Sequence, residues 1–184
     1  MTRLIAAALA ALYAGEAHAQ LDEVRAGIAA HDWIENREDG PQLVGEVLFD
    51  SPDLLAAIGA PRPSLLASVN TRGGTNLGAA SLIWDIEPAP RLRLEAGFGL
   101  AWHDGVIDVD VRRDRENALR LKDSRVLLGS RWLFRSQIGA DYAVAERWAI
   151  GVFYEHYSHG QILASGRNQG LDEAGVRLSY RFGG

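Results

Sequence analysis

Apolar and polar positions alternate along most of this chain with a period of two, the spacing of a half-buried strand. The clearest case is RLRLEAGFGLAWH, residues 91–103. Its even positions are Leu92, Leu94, Ala96, Phe98, Leu100 and Trp102, and its odd positions include Arg91, Arg93, Glu95, Gly97, Gly99 and Ala101. Successive side chains of a strand point to opposite faces, so one face here is wholly apolar and the other charged or tiny. The same alternation runs through Val126, Leu128, Trp132, Phe134, Ile138 and Tyr142. It returns in Trp148, Ile150, Val152 and Tyr154, with Phe153 out of pattern, and in Val176, Leu178, Tyr180 and Phe182. Weaker alternation marks Glu23–Ala30, Gln42–Phe49, Ser64–Asn70 and Leu77–Ile86. The sum is about eight strands, several near the roughly 9–11 residues that a tilted strand needs to cross a bilayer.

A soluble sandwich or a lipocalin-like barrel also alternates, with its apolar face turned inward. The composition of the polar face separates the two. It is rich in Gly and Arg with an occasional Glu or Asp, which suits the crowded interior of a small closed barrel whose apolar face meets lipid. Trp84, Trp102, Tyr142, Trp148 and Tyr157 lie near strand ends, as interfacial girdles do. The pattern therefore predicts an all-β fold, an eight-stranded antiparallel transmembrane β-barrel.

The first residues, MTRLIAAALAALYAGEAHAQ, combine Arg3, a short apolar run and the small-x-small triplet Ala17-His18-Ala19. This predicts a secretory signal peptide over residues 1–19, cut before Gln20, with the barrel domain over 20–184. The chain has no Cys, so an exported form must hold together by packing and backbone pairing. A net charge of −5 argues against a nucleic-acid partner. After residue 20 no apolar run is long enough for a membrane helix.

With both ends of the mature chain on the periplasmic side, the outer loops become 31–41, 71–76, 104–125 and 159–171, and the inner turns fall near 51–62, 86–91 and 144–147. The third outer loop carries Asp108, Asp110 and Asp114, metal-capable residue types that read more simply as a solvated loop. GGTNLG, residues 73–78, has no helix after it and reads as a turn rather than a phosphate loop.

His156 and Ser158 are in phase with the apolar face of their strand, so they point outward at its outer end, with Cα atoms roughly 6.6 Å apart. Asp172 is in phase with Val176, Leu178, Tyr180 and Phe182, so it points outward at the start of the last strand, while Glu173 points inward. Ionisable groups facing lipid are costly and call for a reason. A Ser–His–acid relay supplies one: His156 as base, Ser158 as nucleophile, Asp172 as the acid that orients the imidazole. Donors for an oxyanion are available from the N–H of Gly160 or Gln161 and the amide of Asn168. Polar residues wetted at an interface are the plainer alternative on spacing alone.

HYSHG (156–160), NQGLD (168–172) and the terminal GVRLSYRF resemble the His-x-Ser and Asn-x-Gly-x-acid signature of the lipid A 3-O-deacylase family, the PagL type. RPSLLASVNTRGGTNLGAASLIWD and GSRWLF are similar to other parts of that family's barrel. The resemblance implies an outer-membrane barrel with a Ser–His–acid triad on its outer face. It implies hydrolysis of the ester of the 3-linked hydroxyacyl chain of lipid A, with no metal and no cofactor. It assigns His156 as base, Ser158 as nucleophile, Asp172 as acid and Asn168 to the oxyanion hole. His159 departs from the Asn frequent there, and Asp172 stands where some relatives carry Glu. The implied partners are lipopolysaccharide as substrate and outer-membrane lipid as surroundings; a homodimer is left open. A non-enzymatic structural or adhesive barrel is the alternative, and an acyltransferase a third reading.

Overall fold

Each alternating segment forms a strand in the computed structural model, which describes residues 20–182; the segment read as a signal peptide lies outside the described residues. The strands are β1 (Leu21–His31), β2 (Pro41–Phe49), β3 (Arg62–Asn70), β4 (Leu77–Ala89), β5 (Leu92–His103), β6 (Trp132–Ala143), β7 (Trp148–Ser158) and β8 (Leu171–Arg181). They pair in sequence order as a closed barrel. Closure is made by β1 against β8, antiparallel, with Ile28 opposite Val176 and Ala26 opposite Leu178. A closed ladder leaves no strand edge without partners, as hydrocarbon demands. No helix of the described residues is long and apolar enough to cross a membrane.

The outer wall is built from the apolar phase of every strand: Ile28, Leu43, Leu65, Phe98, Ile138, Ile150, Val152 and Val176 are all exposed. In water this would be an apolar surface far larger than monomers tolerate; against lipid it carries no penalty. The inner wall holds the opposite phase. Arg25 reaches Glu23 and Glu95, each at 2.7 Å, and Glu46 at 3.1 Å. Arg177 and Arg93 close on Asp141 at 2.8 and 2.9 Å, and Arg135 reaches Glu46 at 2.9 Å. Charges so buried persist only because each has partners of opposite sign at hydrogen-bonding distance. Phe153 breaks the pattern of β7 because it points into this interior, where Gly175 opposite it has no side chain and leaves room for the ring.

The outer end of the barrel is closed by its loops, here called L1 (32–40), L2 (71–76), L3 (104–131) and L4 (159–170). Glu38 of L1 ties three of them together, accepting from Thr75 N at 2.5 Å and from Val126 N at 3.0 Å while facing His31 Nε2 at 3.0 Å. Burial alone would raise its pKa, but the hydrogen bonds from His31, Val126 and Thr75, with Arg125 nearby, outweigh it and hold the carboxyl down at about 2.

Two expectations are corrected by the fold, and the third loop gains an element that the sequence reading did not name. Val126 and Leu128 do not begin the sixth strand with outward side chains; with Leu127 they are buried, and β6 starts at Trp132. They belong to a plug formed with Leu66, Leu77, Ala101, Leu133, Tyr157 and Leu171, inward residues of the strands. Burying such side chains contributes about 1.5–3 kcal/mol each, which pins L3 over the barrel mouth. Tyr157 is not a girdle residue: odd phase turns it inward, where its hydroxyl donates to Glu155. The third loop is also not wholly irregular. It contains helix α1 (Arg115–Ser124), capped by Asp114, whose carboxylate accepts from Asn117 N at 3.0 Å. Between β2 and β3 a short 3-10 helix, Asp53–Ile58, fills the long inner turn.

Candidate active site

The β7–β8 register sets His156 directly opposite Asp172. Both lie on the outer face, and His156 Nδ1 meets Asp172 Oδ1 at 2.8 Å. That contact leaves Nε2 available on the other side of the ring. Asp172 is outward in phase, yet its side chain is only 11 % exposed, while that of His156 is 43 % exposed. The acid is thus sheltered and the base open. L1 lies over this end of β8, with Trp33 N donating to the carbonyl of Asp172 at 3.1 Å.

Ser158 is the last residue of β7, paired with Phe134 of β6, on the same face as His156 and one pleat period beyond it. Among the described residues no hydrogen bond joins its hydroxyl to His156. The two residues share a face at i and i+2, and catalytic hydrogen bonds commonly tighten only when substrate is present.

L4 starts at the next residue and is folded around His159, which is fully buried. His159 Nδ1 accepts from Gln161 N at 3.1 Å, so the ring proton sits on Nε2, which donates to the carbonyl of Arg167 at 2.8 Å. Its own N–H donates to Asn168 Oδ1 at 3.3 Å. That bond orients the Asn168 amide with its NH₂ group as the remaining donor. Gly160, with φ +61°, sits at the exposed corner between Ser158 and this knot. The departure noted at His159 is therefore a structural one: the imidazole ties the two ends of L4 together. L3 supports it from behind through Gln169, whose side-chain oxygen accepts from Leu127 N at 2.6 Å.

Gly170 closes the loop at φ +73°. A Cβ there would lie 3.0 Å from His156 Cε1 and 3.7 Å from Nε2. Only a glycine lets the chain take that left-handed conformation at low cost and pass this close to the imidazole. Glu173 points inward as expected and lies far from this chemistry in its contacts, meeting His31 at 3.1 Å, Gln42 at 3.0 Å and Ser68 at 3.2 Å.

The structure thus places His156, Ser158 and Asp172 on one outer patch, with Gly160 and Asn168 on the loop beside it. Sequence reasoning missed Tyr154, whose hydroxyl donates to Asp172 Oδ1 from the strand position two before His156. The only signal for it was shared phase. The interacting acid lies on the neighbouring strand, and register is invisible without a fold. Asp108, read as a solvated loop residue, makes an exposed ion pair with Arg167 Nε at 2.9 Å. Among the described residues no group of His, Asp and Glu side chains is arranged to hold a metal.

A family model described as lipid A 3-O-deacylase (PagL) matches residues 87–181. Among solved structures, the crystal structure of the outer membrane enzyme PagL is similar over 86 % of this chain and 98 % of that chain, with TM-score 0.59 and 17 % identity. Neisserial surface protein A is similar over 87 % and 96 % of the two chains, with TM-score 0.57 and 14 % identity. A de novo designed transmembrane β-barrel is similar over 88 % and 94 %, with TM-score 0.53 and 12 % identity. At such identities these structures establish the barrel and no more. No curated protein matches the chain.

Proposed function

This chain belongs to the lipid A 3-O-deacylase (PagL) family, and from that membership we propose that it is an outer-membrane esterase removing the 3-O-linked hydroxyacyl chain of lipid A through His156, Ser158 and Asp172. The observation that carries this reading is the 2.8 Å hydrogen bond between His156 and Asp172 on a wall that otherwise faces lipid. The substrate is itself a lipid of the outer leaflet, so a nucleophile on the outer wall meets it sideways, and an inward one would never reach it.

In this mechanism Ser158 Oγ attacks the ester carbonyl while His156 Nε2 takes its proton. Asp172 keeps the imidazole in the tautomer whose Nδ1 carries hydrogen and stabilises the imidazolium. The oxyanion accepts hydrogen bonds from the Gly160 N–H and the Asn168 side-chain amide. Collapse of the tetrahedral intermediate breaks the bond to the sugar oxygen, which takes the proton from His156 and leaves as an alcohol. Water, deprotonated by the same imidazole, then hydrolyses the acyl-enzyme to release a 3-hydroxy fatty acid. Every step draws on one copy of the chain, so a homodimer is not required. The signal peptide over residues 1–19 fits delivery to the outer membrane. Arg112 and Arg113 of L3, and Arg167 of L4 once released from Asp108, are among the outer-loop cations for the phosphates of lipid A.

The test is mass spectrometry of lipid A from cells producing the protein. Loss of the mass of one hydroxyacyl chain supports the reading; a spectrum identical to that of control cells overturns it, and a gain in acyl number would make the protein an acyltransferase. Asp172→Asn is expected to slow trimming by about 10²–10⁴-fold, since a neutral amide supports the wrong tautomer. Glu173→Gln changes only the interior and leaves the rate within a few-fold. Time courses of acyl loss for the two variants rank them, and the reverse order would place the acid at Glu173. Gly170→Ala should lower the rate about tenfold with the barrel still folded, because the new methyl group meets both backbone strain and His156.

A further inference from the structure

We propose that Tyr154 is a positioning residue for the triad: its hydroxyl holds Asp172 in the orientation that in turn holds His156. The inference rests on the esterase reading for its activity readout, but its geometry stands apart from it. Tyr154 lies opposite Ala174 in the β7–β8 ladder and His156 lies opposite Asp172. Tyr154 and Asp172 are therefore diagonal neighbours on the outer face, a separation that aromatic side chains bridge and short ones do not. The small Ala174 across from Tyr154 leaves space for the ring to lean toward the acid. Its hydroxyl then donates to Asp172 Oδ1, the same oxygen that faces His156 Nδ1.

Each partner needs the other. A phenol on a lipid-facing wall has no hydrogen-bond acceptor in hydrocarbon. A carboxylate whose side chain is only 11 % exposed has little water to solvate it, so donors from the protein must do so. With two donors fixed on one oxygen, the carboxylate cannot turn away from the imidazole, and part of its charge is taken up by the phenol. Loss of the hydroxyl would free the acid to rotate.

The groups facing His156 are few. Asp172 and Gly170 approach from β8 and the end of L4, Tyr154 and Ser158 lie on its own strand, and uncharged Ser136 stands opposite on β6. Glu155 and Glu173, its sequence and ladder neighbours, point to the other side of the sheet and are buried there.

The experiment compares wild type with Tyr154→Phe, which keeps the ring and removes the hydroxyl. The first readout is the NMR resonance of hydrogen-bonded imidazole N–H protons in detergent micelles, with the His156 signal assigned by its loss in His156→Asn. In Tyr154→Phe the His156 Nδ1–H resonance should lose its downfield position or broaden into exchange with water, because the acid is free to turn away. A signal with wild-type position and width overturns the proposal. The second readout is steady-state hydrolysis of purified lipid A, in which kcat should fall about tenfold with KM unchanged. A raised KM with kcat intact would make Tyr154 a substrate contact and overturn the proposal as well. Ser158→Ala is assayed in parallel. If wild type and Ser158→Ala are equally inactive, the esterase reading fails, and the imidazole N–H signal still decides the role of Tyr154.

Discussion

Ser158→Ala is expected to abolish trimming of lipid A, by a factor on the order of 10³–10⁶, while the barrel folds as before. In the proposed mechanism the hydroxyl forms the only covalent bond between enzyme and acyl chain, and nothing else at the outer end of β7 can replace it. Its removal should not disturb the fold, since Ser158 is the terminal residue of its strand and contributes no side-chain hydrogen bond among the described residues. The measurement is the mass of lipid A extracted from cells producing wild type and variant at equal levels. Continued loss of a hydroxyacyl chain from the variant would remove Ser158 from the mechanism and leave His156 activating water directly. The two outcomes differ further in trapping: only a serine nucleophile leaves an acyl adduct on residue 158.

The second large effect concerns the interior. Arg25→Met should destabilise the barrel by about 3–5 kcal/mol, because it leaves Glu23, Glu46 and Glu95 buried without the cation they share. Arg93 and Arg135 still reach two of these acids, but Glu95 then has only Arg177 at 2.7 Å to balance it. Urea unfolding of protein refolded in lipid vesicles reads the loss as an earlier midpoint. Arg147→Met on the exposed inner turn serves as the comparison, and its midpoint should stay that of wild type. A variant at Arg25 as resistant as wild type would mean that the interior charges are solvated independently of one another.

How far these features could be seen beforehand depends on what a two-residue period can encode. The outward phase of His156, Ser158 and Asp172 was legible because phase is a property of a single strand, read against apolar neighbours such as Val152 and Val176. So was the inward phase of Glu173. Tyr157 shows the limit: its aromatic character suggested an interfacial girdle, but its phase, opposite to that of His156, already placed it inside. Val126 and Leu128 show another. They alternate, yet Leu127 between them is apolar too, and three apolar residues in a row signal a buried plug rather than a strand with one face in lipid. Helix α1 was hidden by its polarity, although Asp114 and the run of helix formers after it were a usable cap signal. The link between Tyr154 and Asp172 and the knot at His159 depend on strand register and loop closure, neither of which a one-strand pattern carries.

The crowded interior also bears on what crosses the membrane. The space left between Arg25, Glu46, Phe153 and Arg177 is about 10 Å³, room for one water at most, and the mouth above it is stoppered by Val126 and Leu128. At that level the described residues leave no bore for a solute wider than water. On the proposed function, lipid is trimmed at the outer wall while the interior takes no part.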